Sequence, residues 1–189
     1  MKMKLIPLIV LLLTLPGCIS TYCGFSPDAV DRKQTAGDCD VMYYNVRKFD
    51  ILESGGYNKL QTFFRNAAIC KTMKPADEPP AKGLYVDVEA KWKPVSMSSL
   101  IFGYISISTL TLIPSWSTQD GYDVRYSLYR DGVKKETYNY DITRKAGLWA
   151  GLLPFAWINA FTYSEEDAFQ ATSNQFWTDA QPYFVGESH

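Results

Sequence analysis

The fold is decided by the stretch YDVRYSLYRDGVKKETYNYDI, residues 122–142. Apolar and aromatic residues alternate with polar ones on both sides of Asp131-Gly132, a pair typical of a tight turn between two strands. The alternating residues are Tyr122, Val124, Tyr126 and Leu128 before the turn and Tyr138, Tyr140 and Ile142 after it. We therefore predict an antiparallel β-hairpin with one buried face.

Two more strands and two helices precede and follow this hairpin. Residues 41–49 are rich in Val and Tyr, and residues 84–93 alternate strictly before Pro94, so both are predicted strands. Apolar residues at helical spacing indicate two amphipathic helices. These residues are Leu60, Phe63, Phe64, Ala67 and Ala68 in the first helix and Ala168, Phe169, Thr172, Phe176 and Trp177 in the second, after Ser164. We predict an α+β fold: a mostly antiparallel sheet of about four strands with two amphipathic helices on one face.

The N-terminus has the features of a secretion signal. Lys2 and Lys4 precede the apolar run LIPLIVLLLTL, residues 5–15, which is too short to span a bilayer. The next residues, Leu15-Pro16-Gly17-Cys18, resemble the lipobox of bacterial lipoproteins. This resemblance implies that residues 1–17 are a signal peptide and that Cys18 becomes the acylated first residue of the mature chain. The two acyl chains of a diacylglyceryl thioether, usually with a third such as palmitate on the freed amine, make anchoring stable.

The lipobox also implies a location and a domain organisation. Ile19, rather than Asp, follows Cys18, which in many Gram-negative bacteria permits sorting to the outer membrane. We expect a lipid-anchored protein on the periplasmic side of the cell outer membrane. Residues 18–38 are predicted to form the lipidated N-terminus and a flexible tether, and residues 39–189 a single α+β domain. Such a tether lets the domain sit away from the membrane or turn an apolar end toward it.

The order of the predicted elements is similar to that of small α/β envelope-assembly lipoproteins. Examples are the lipopolysaccharide-assembly lipoprotein and the N-terminal domain of curli and polysaccharide secretion lipoproteins. The resemblance concerns element order alone and transfers no residues.

Three cysteines remain after Cys18, and a periplasmic location permits one disulfide. A right-handed crossover makes the strands at 41–49 and 84–93 parallel and brings the end of the intervening helix back to the start of the first strand. Those two positions are Cys39 and Cys70. We therefore predict a disulfide between Cys39 and Cys70, with Cys23 as the remaining thiol.

The same topology predicts that two apolar segments lie next to each other at one end of the sheet. They are LIFGYISISTLTLIPSW, residues 100–116, and LWAGLLPFAWINAFTY, residues 148–163. One interpretation makes them core, as a half-buried strand and a short helix broken at Pro154. The other makes them an exposed apolar end that contacts the membrane, an envelope protein or a second copy. The predicted contact residues are Leu100, Ile101, Phe102, Tyr104, Leu110, Leu112, Trp149 and Trp157.

Residues for catalysis are scarce in this sequence. The single histidine is His189, and the glycine-rich and nucleophile motifs of common enzymes do not occur. Asp87 and Glu89 fall on the predicted solvated face of a strand, and Asp120 and Asp123 fall in a predicted turn. Nineteen Lys and Arg balance twenty Asp and Glu, without the basic excess typical of nucleic-acid binding. We expect neither a cofactor nor a metal site.

The sequence therefore predicts a protein that is not an enzyme: a lipoprotein acting as a binding or assembly component of the bacterial cell envelope. One alternative is a lipid-anchored enzyme that uses carboxylates, such as a glycan hydrolase, whose two acids would lie about 5–10 Å apart in a cleft. Another is a plasmid or phage lipoprotein that acts in exclusion or lysis.

Overall fold

In the computed structural model, the stretches in which apolar and polar residues alternate form the central strands of a six-stranded sheet. The structure describes residues 18–32, 39–48, 55–66 and 70–184. The strands are β1 (Cys18–Cys23), β2 (Val41–Val46), β3 (Thr72–Pro75), β4 (Leu84–Lys93), β5 (Ser115–Arg130) and β6 (Val133–Leu148), in the order β1-β6-β5-β4-β2-β3. The α-helices are α1 (Gly55–Asn66), α2 (Met97–Ser108), α3 (Glu165–Asp179) and α4 (Gln181–Phe184). Two 3-10 segments cover Pro27–Ala29 and Ala150–Phe161.

The α+β class is confirmed, but the predicted sheet of about four mostly antiparallel strands is wrong. The sheet has six strands and is mixed, because β2 pairs in parallel with both β3 and β4. The two strands that the sequence did not predict, β1 and β3, are short and lie at the edges. A short edge strand is stabilised mainly by pairing with a strand that is distant in the sequence. Its own residues therefore show no periodicity from which it could be predicted.

The predicted hairpin is confirmed, and its strands are longer than expected. Strands β5 and β6 each extend over 16 residues around Asp131-Gly132. β4 has the predicted bounds, and α3 begins directly after Ser164. Strand β2 is shorter than predicted. The predicted signal peptide, Phe49, Ala67, Ala68 and His189 lie outside the described residues.

The N-terminal residues of the predicted tether have regular structure. Residues 18–23 form β1, which pairs antiparallel with β6 from Cys18 opposite Leu148 to Cys23 opposite Thr143. The prediction of an irregular tether is therefore wrong for these residues. Because the pairing starts at Cys18 itself, the predicted lipid anchor is attached directly to the sheet, without a flexible linker between them.

The described residues fall into two compact units. The first unit contains residues 18–23, 93–121 and 143–164. The second contains residues 24–32, 39–48, 55–66, 70–92, 122–142 and 165–184. The predicted domain boundaries stay a prediction.

Aromatic side chains form the core of the second unit. The Tyr126 ring of β5 stacks on Phe176 of α3 at 4.6 Å between centroids, and Phe64 of α1 lies 6.5 Å from Tyr126. Helices α1 and α3 pack together where Gly56 meets the ring of Phe169, and a Cβ on residue 56 would overlap that ring. Such burial of large aromatic side chains contributes much of the stability of a small domain.

A disulfide closes the start of β2 onto the segment before β3. Cys39 and Cys70 are bonded, the pair that the crossover argument predicted. Cys18 and Cys23 carry free thiols. Cys23 Sγ donates a weak hydrogen bond to the carbonyl oxygen of Thr143 at 3.4 Å.

Candidate functional site

Exposed apolar side chains are concentrated in the first unit. Among the described residues, the large apolar side chains that are exposed lie in residues 97–116 and 149–163, with Trp92 and Val133 as the two exceptions. We call the exposed apolar side chains of these two segments the apolar surface. Its members are Met97, Leu100, Ile101, Phe102, Tyr104, Ile105, Ile107, Leu110, Leu112, Ile113, Trp116, Trp149, Phe155, Trp157, Phe161 and Tyr163.

All eight contact residues predicted from the sequence belong to the apolar surface. The interpretation of residues 100–116 as a half-buried strand is wrong, because most of this segment is helix α2 and the loop after it. Within residues 148–163, Ala150–Phe161 form a helix of 3-10 type with Pro154 inside it, but none of the residues of that helix is buried. The core interpretation therefore fails for both segments.

Helix α2 packs small residues inward and exposes large apolar ones, the reverse of an ordinary surface helix. Its one buried residue is Ser106, and Ser99 and Gly103 are the other less exposed positions on that side. The helix exposes Ile and Tyr side chains such as Ile107 and Tyr104 instead. A helix in water normally buries its apolar stripe. Small residues on the packed side and large apolar residues outside are typical of helices that contact lipid or another protein.

The chain leaves α2 through a strained turn. Leu110 and Thr111 both have positive φ, 52° and 61°, a conformation that costs about 1–3 kcal/mol at a non-glycine residue. This turn buries Thr111 and leaves Leu110 and Leu112 exposed to 74% and 72%. The backbone thus stores strain in the arrangement that presents two leucines to the outside.

Hydrogen bonds join the two segments into one surface. The amide of Ala150 donates to the carbonyl of Thr111 at 2.9 Å, and the indole Nε1 of Trp149 donates to the carbonyl of Leu112 at 3.2 Å. The rings of Phe102 and Trp116 stack 6.0 Å apart. The neighbouring position expected from the hairpin topology is thus present within the first unit.

The predicted lipid-carrying residue is tied to the same surface. The side chain of Asn159 donates from Nδ2 to the carbonyl of Cys18 at 2.7 Å and accepts at Oδ1 from the amide of Ser20 at 3.0 Å. Two residues on, the Tyr22 amide donates to the carbonyl of Tyr163 at 3.1 Å. The 3-10 segment that exposes Trp157 and Phe161 therefore holds β1 along its edge. No sequence pattern indicates this role for Asn159, because it depends on a contact across 141 positions.

A buried carboxylate links strands β5 and β6 in the first unit. Asp120 is fully buried and bonds to Arg144, with 2.6 Å from Nε and 2.5 Å from Nη2 to Oδ2. Ser117 donates to the other carboxylate oxygen. The prediction that Asp120 and Asp123 flank a turn is wrong, since both lie inside β5. Arg144 on the neighbouring strand β6 supplies the partner that makes burial of Asp120 tolerable.

The second unit has a polar cleft on strands β4, β5 and β6. It encloses about 310 Å³ and is lined by Glu89, Lys91, Asp123, Arg125, Asn139, Tyr140 and Asp141. Glu89 is engaged by Arg125 at 3.6 Å and by Lys91 at 3.9 Å. Across the described ranges, no group of three or more His, Cys, Asp and Glu side chains is arranged to hold a metal ion.

Asp87 differs from its prediction as a solvated residue. It is buried and forms a bidentate pair with Arg47, from Nε to Oδ1 at 3.0 Å and from Nη2 to Oδ2 at 2.5 Å. The hydrogen bond from Arg47 and the attraction of its charge to Asp87 raise the pKa of the guanidinium. Strict alternation predicted an exposed carboxylate here, but Arg47, the residue after β2, pairs with it. Asp87 is therefore a structural ion-pair residue.

No family model and no curated protein matches the chain. Among solved structures, it is similar to a dodecamer of a PelC variant from Paraburkholderia phytofirmans, with 11% identity over 90% of this chain and 99% of that one and a TM-score of 0.29. A TM-score this low assigns neither a fold nor a function.

Proposed function

We propose that this chain is a bacterial lipoprotein, anchored through acyl chains on Cys18, that acts without catalysis as a binding or assembly component of the cell envelope. The apolar surface is the observation that carries this proposal. A monomeric protein in water rarely exposes so many contiguous large apolar side chains, and where it does they usually mark a contact with a partner or a membrane.

The position of Cys18 supports the anchor. The residue is exposed, so its sulfur is accessible for acylation, and its carbonyl is held by Asn159 within the first unit. An anchor at this place brings the apolar surface close to the membrane. Ile19 after the anchor favours the outer membrane and its periplasmic side.

The charged side chains of the polar cleft are better explained as structural ion pairs than as a catalytic acid and base. Glu89 shares the cleft with two basic side chains and forms an ion pair with each, at 3.6 Å to Arg125 and 3.9 Å to Lys91. The proposal of an envelope component without catalysis accounts for the apolar surface, which a carboxylate enzyme leaves unexplained.

Metabolic labelling tests the anchor. Cells that produce the full chain are grown with radioactive palmitate, and the protein is captured and compared with Cys18→Ser and with Cys23→Ser, which removes the other free thiol. We expect label and outer-membrane fractionation in wild type and Cys23→Ser, and no label in Cys18→Ser. Unlabelled wild-type protein contradicts the proposal.

Crosslinking in intact cells tests the binding or assembly role. A photoreactive residue at position 101, where Ile101 is exposed, samples the apolar surface, and one at position 133, in place of exposed Val133, serves as the matched control. We expect discrete crosslinks to envelope components, lipid or protein, from position 101 only. Equal crosslinking from both positions argues against a specific role of this surface.

A further inference from the structure

We infer that the occupant of the apolar surface is the lipid bilayer itself, so that the protein sits on the membrane as a monotopic protein with Cys18 and this surface inserted side by side. The inference rests on the proposed anchor and specifies what its surface contacts. Three independent features of the first unit lead to it.

The first feature is the continuity between anchor and surface. The backbone carbonyl of Cys18 accepts a hydrogen bond from Asn159, which lies in the segment that carries Trp157 and Phe161. A protein partner that covered this segment would also lie between the acyl chains of Cys18 and the bilayer. A bilayer accommodates the acyl chains and the side chains together, because acyl chains and apolar side chains prefer the same depth.

The second feature is the distribution of charge. Apart from the Asp120–Arg144 ion pair, the charged residues in the described part of the first unit are Lys93 and Lys145. Lys93 precedes Met97 and Lys145 precedes Trp149, the first member of the apolar surface in each segment, by four residues. Basic side chains at the border of an apolar region suit the phosphate groups of lipid headgroups. A surface that pairs with a second copy has no comparable need for positive charge alone.

The third feature is the kind of apolar residue. Trp116, Trp149 and Trp157 are all exposed, and the Trp149 indole N–H is already satisfied by a backbone carbonyl. Tryptophan and tyrosine are enriched at the level of the lipid headgroups, where one edge of the ring is wet. Among the helices that the structure describes, none is long and apolar enough to cross a membrane. The observed segments suit insertion into one leaflet.

Quenching of tryptophan fluorescence by brominated lipids tests this inference on the full, lipidated protein. The protein is purified in detergent and reconstituted into phosphatidylethanolamine and phosphatidylglycerol vesicles, with or without bromine on the acyl chains. One variant combines Trp116→Phe, Trp149→Phe and Trp157→Phe. The control is Trp92→Phe, which removes an exposed tryptophan of the second unit and keeps the three in the apolar surface.

We expect bromine to quench wild type and Trp92→Phe strongly and to quench the triple variant much less. Mass spectrometry of the same samples reports the acyl groups on Cys18. Acylated wild type that is not quenched overturns the inference while the anchor stands, and crosslinked dimers in that sample identify a second copy as the occupant. Wild type without acyl groups overturns the proposed function, and the inference with it.

Discussion

Replacing Leu110 by aspartate separates membrane contact from folding. The side chain is 74% exposed, so its removal leaves little cavity. Its backbone has φ of 52°, a conformation that aspartate adopts more readily than leucine. We therefore expect the free energy of unfolding of Leu110→Asp to stay within about 0.5 kcal/mol of the parent chain.

The effect on membrane partition follows from the same exposure. Complete burial of a leucine side chain contributes about 1.5–3 kcal/mol, and burial of the three quarters of Leu110 that faces outward contributes about 1–2 kcal/mol. A carboxylate near the interface costs up to about 1 kcal/mol more. Because about 1.4 kcal/mol corresponds to a factor of ten, partition into vesicles should weaken roughly 10- to 100-fold.

The assay uses the mature chain with Cys18→Ser, so that acyl chains do not dominate binding. Co-sedimentation with vesicles gives the partition coefficient, and urea denaturation gives the free energy of unfolding. Val133→Asp is the matched control, because Val133 is exposed and lies outside the apolar surface. A loss of several kcal/mol of unfolding free energy in Leu110→Asp, or an unchanged partition coefficient, refutes the reasoning.

Three further predictions concern the framework. Burial raises the pKa of Tyr126 to about 12, so the stability that its neutral form provides is present below about pH 10 and is lost as the pH rises to about 12. Tyr126→Phe should therefore flatten the fall in unfolding free energy between about pH 10 and 12, and an unchanged slope contradicts this. Reduction of the Cys39–Cys70 disulfide, which spans 31 positions, should lower the unfolding free energy by roughly 3–4 kcal/mol in urea titrations with and without reductant; a negligible loss speaks against the bond. Arg144→Met leaves the carboxylate of Asp120 buried without its ion-pair partner and should cost about 3–5 kcal/mol, which Asp120→Asn in the same chain should partly restore; thermal denaturation measures both.

Sequence periodicity predicted the strands in which apolar and polar residues alternate along the chain. The strand at 84–93 and the hairpin around Asp131-Gly132 follow directly from the period of two, and the right-handed crossover rule led from there to the Cys39–Cys70 pair. β1 was missed because its register is set by β6, more than a hundred positions away.

The apolar segments show where periodicity misleads. Serine and threonine alternate with apolar residues between Tyr104 and Ile113, which favoured a strand. The structure instead aligns Ser99, Gly103 and Ser106 on the packed side of a helix. Pattern rules assume that the apolar side is buried by the protein itself, and they fail where a membrane or a partner buries it.

Spin labelling at Leu112 tests the central claim most directly. The Leu112→Cys label is placed in the lipidated protein with Cys23→Ser, reconstituted into vesicles, and its collision rates with oxygen and with a water-soluble nickel complex are compared by electron paramagnetic resonance. Val133→Cys provides the matched position outside the apolar surface. We predict that the label at position 112 lies about 5–10 Å inside the headgroup boundary, with high oxygen and low nickel accessibility, while the label at position 133 stays in water. Equal nickel accessibility at both positions would contradict insertion of the apolar surface into the bilayer.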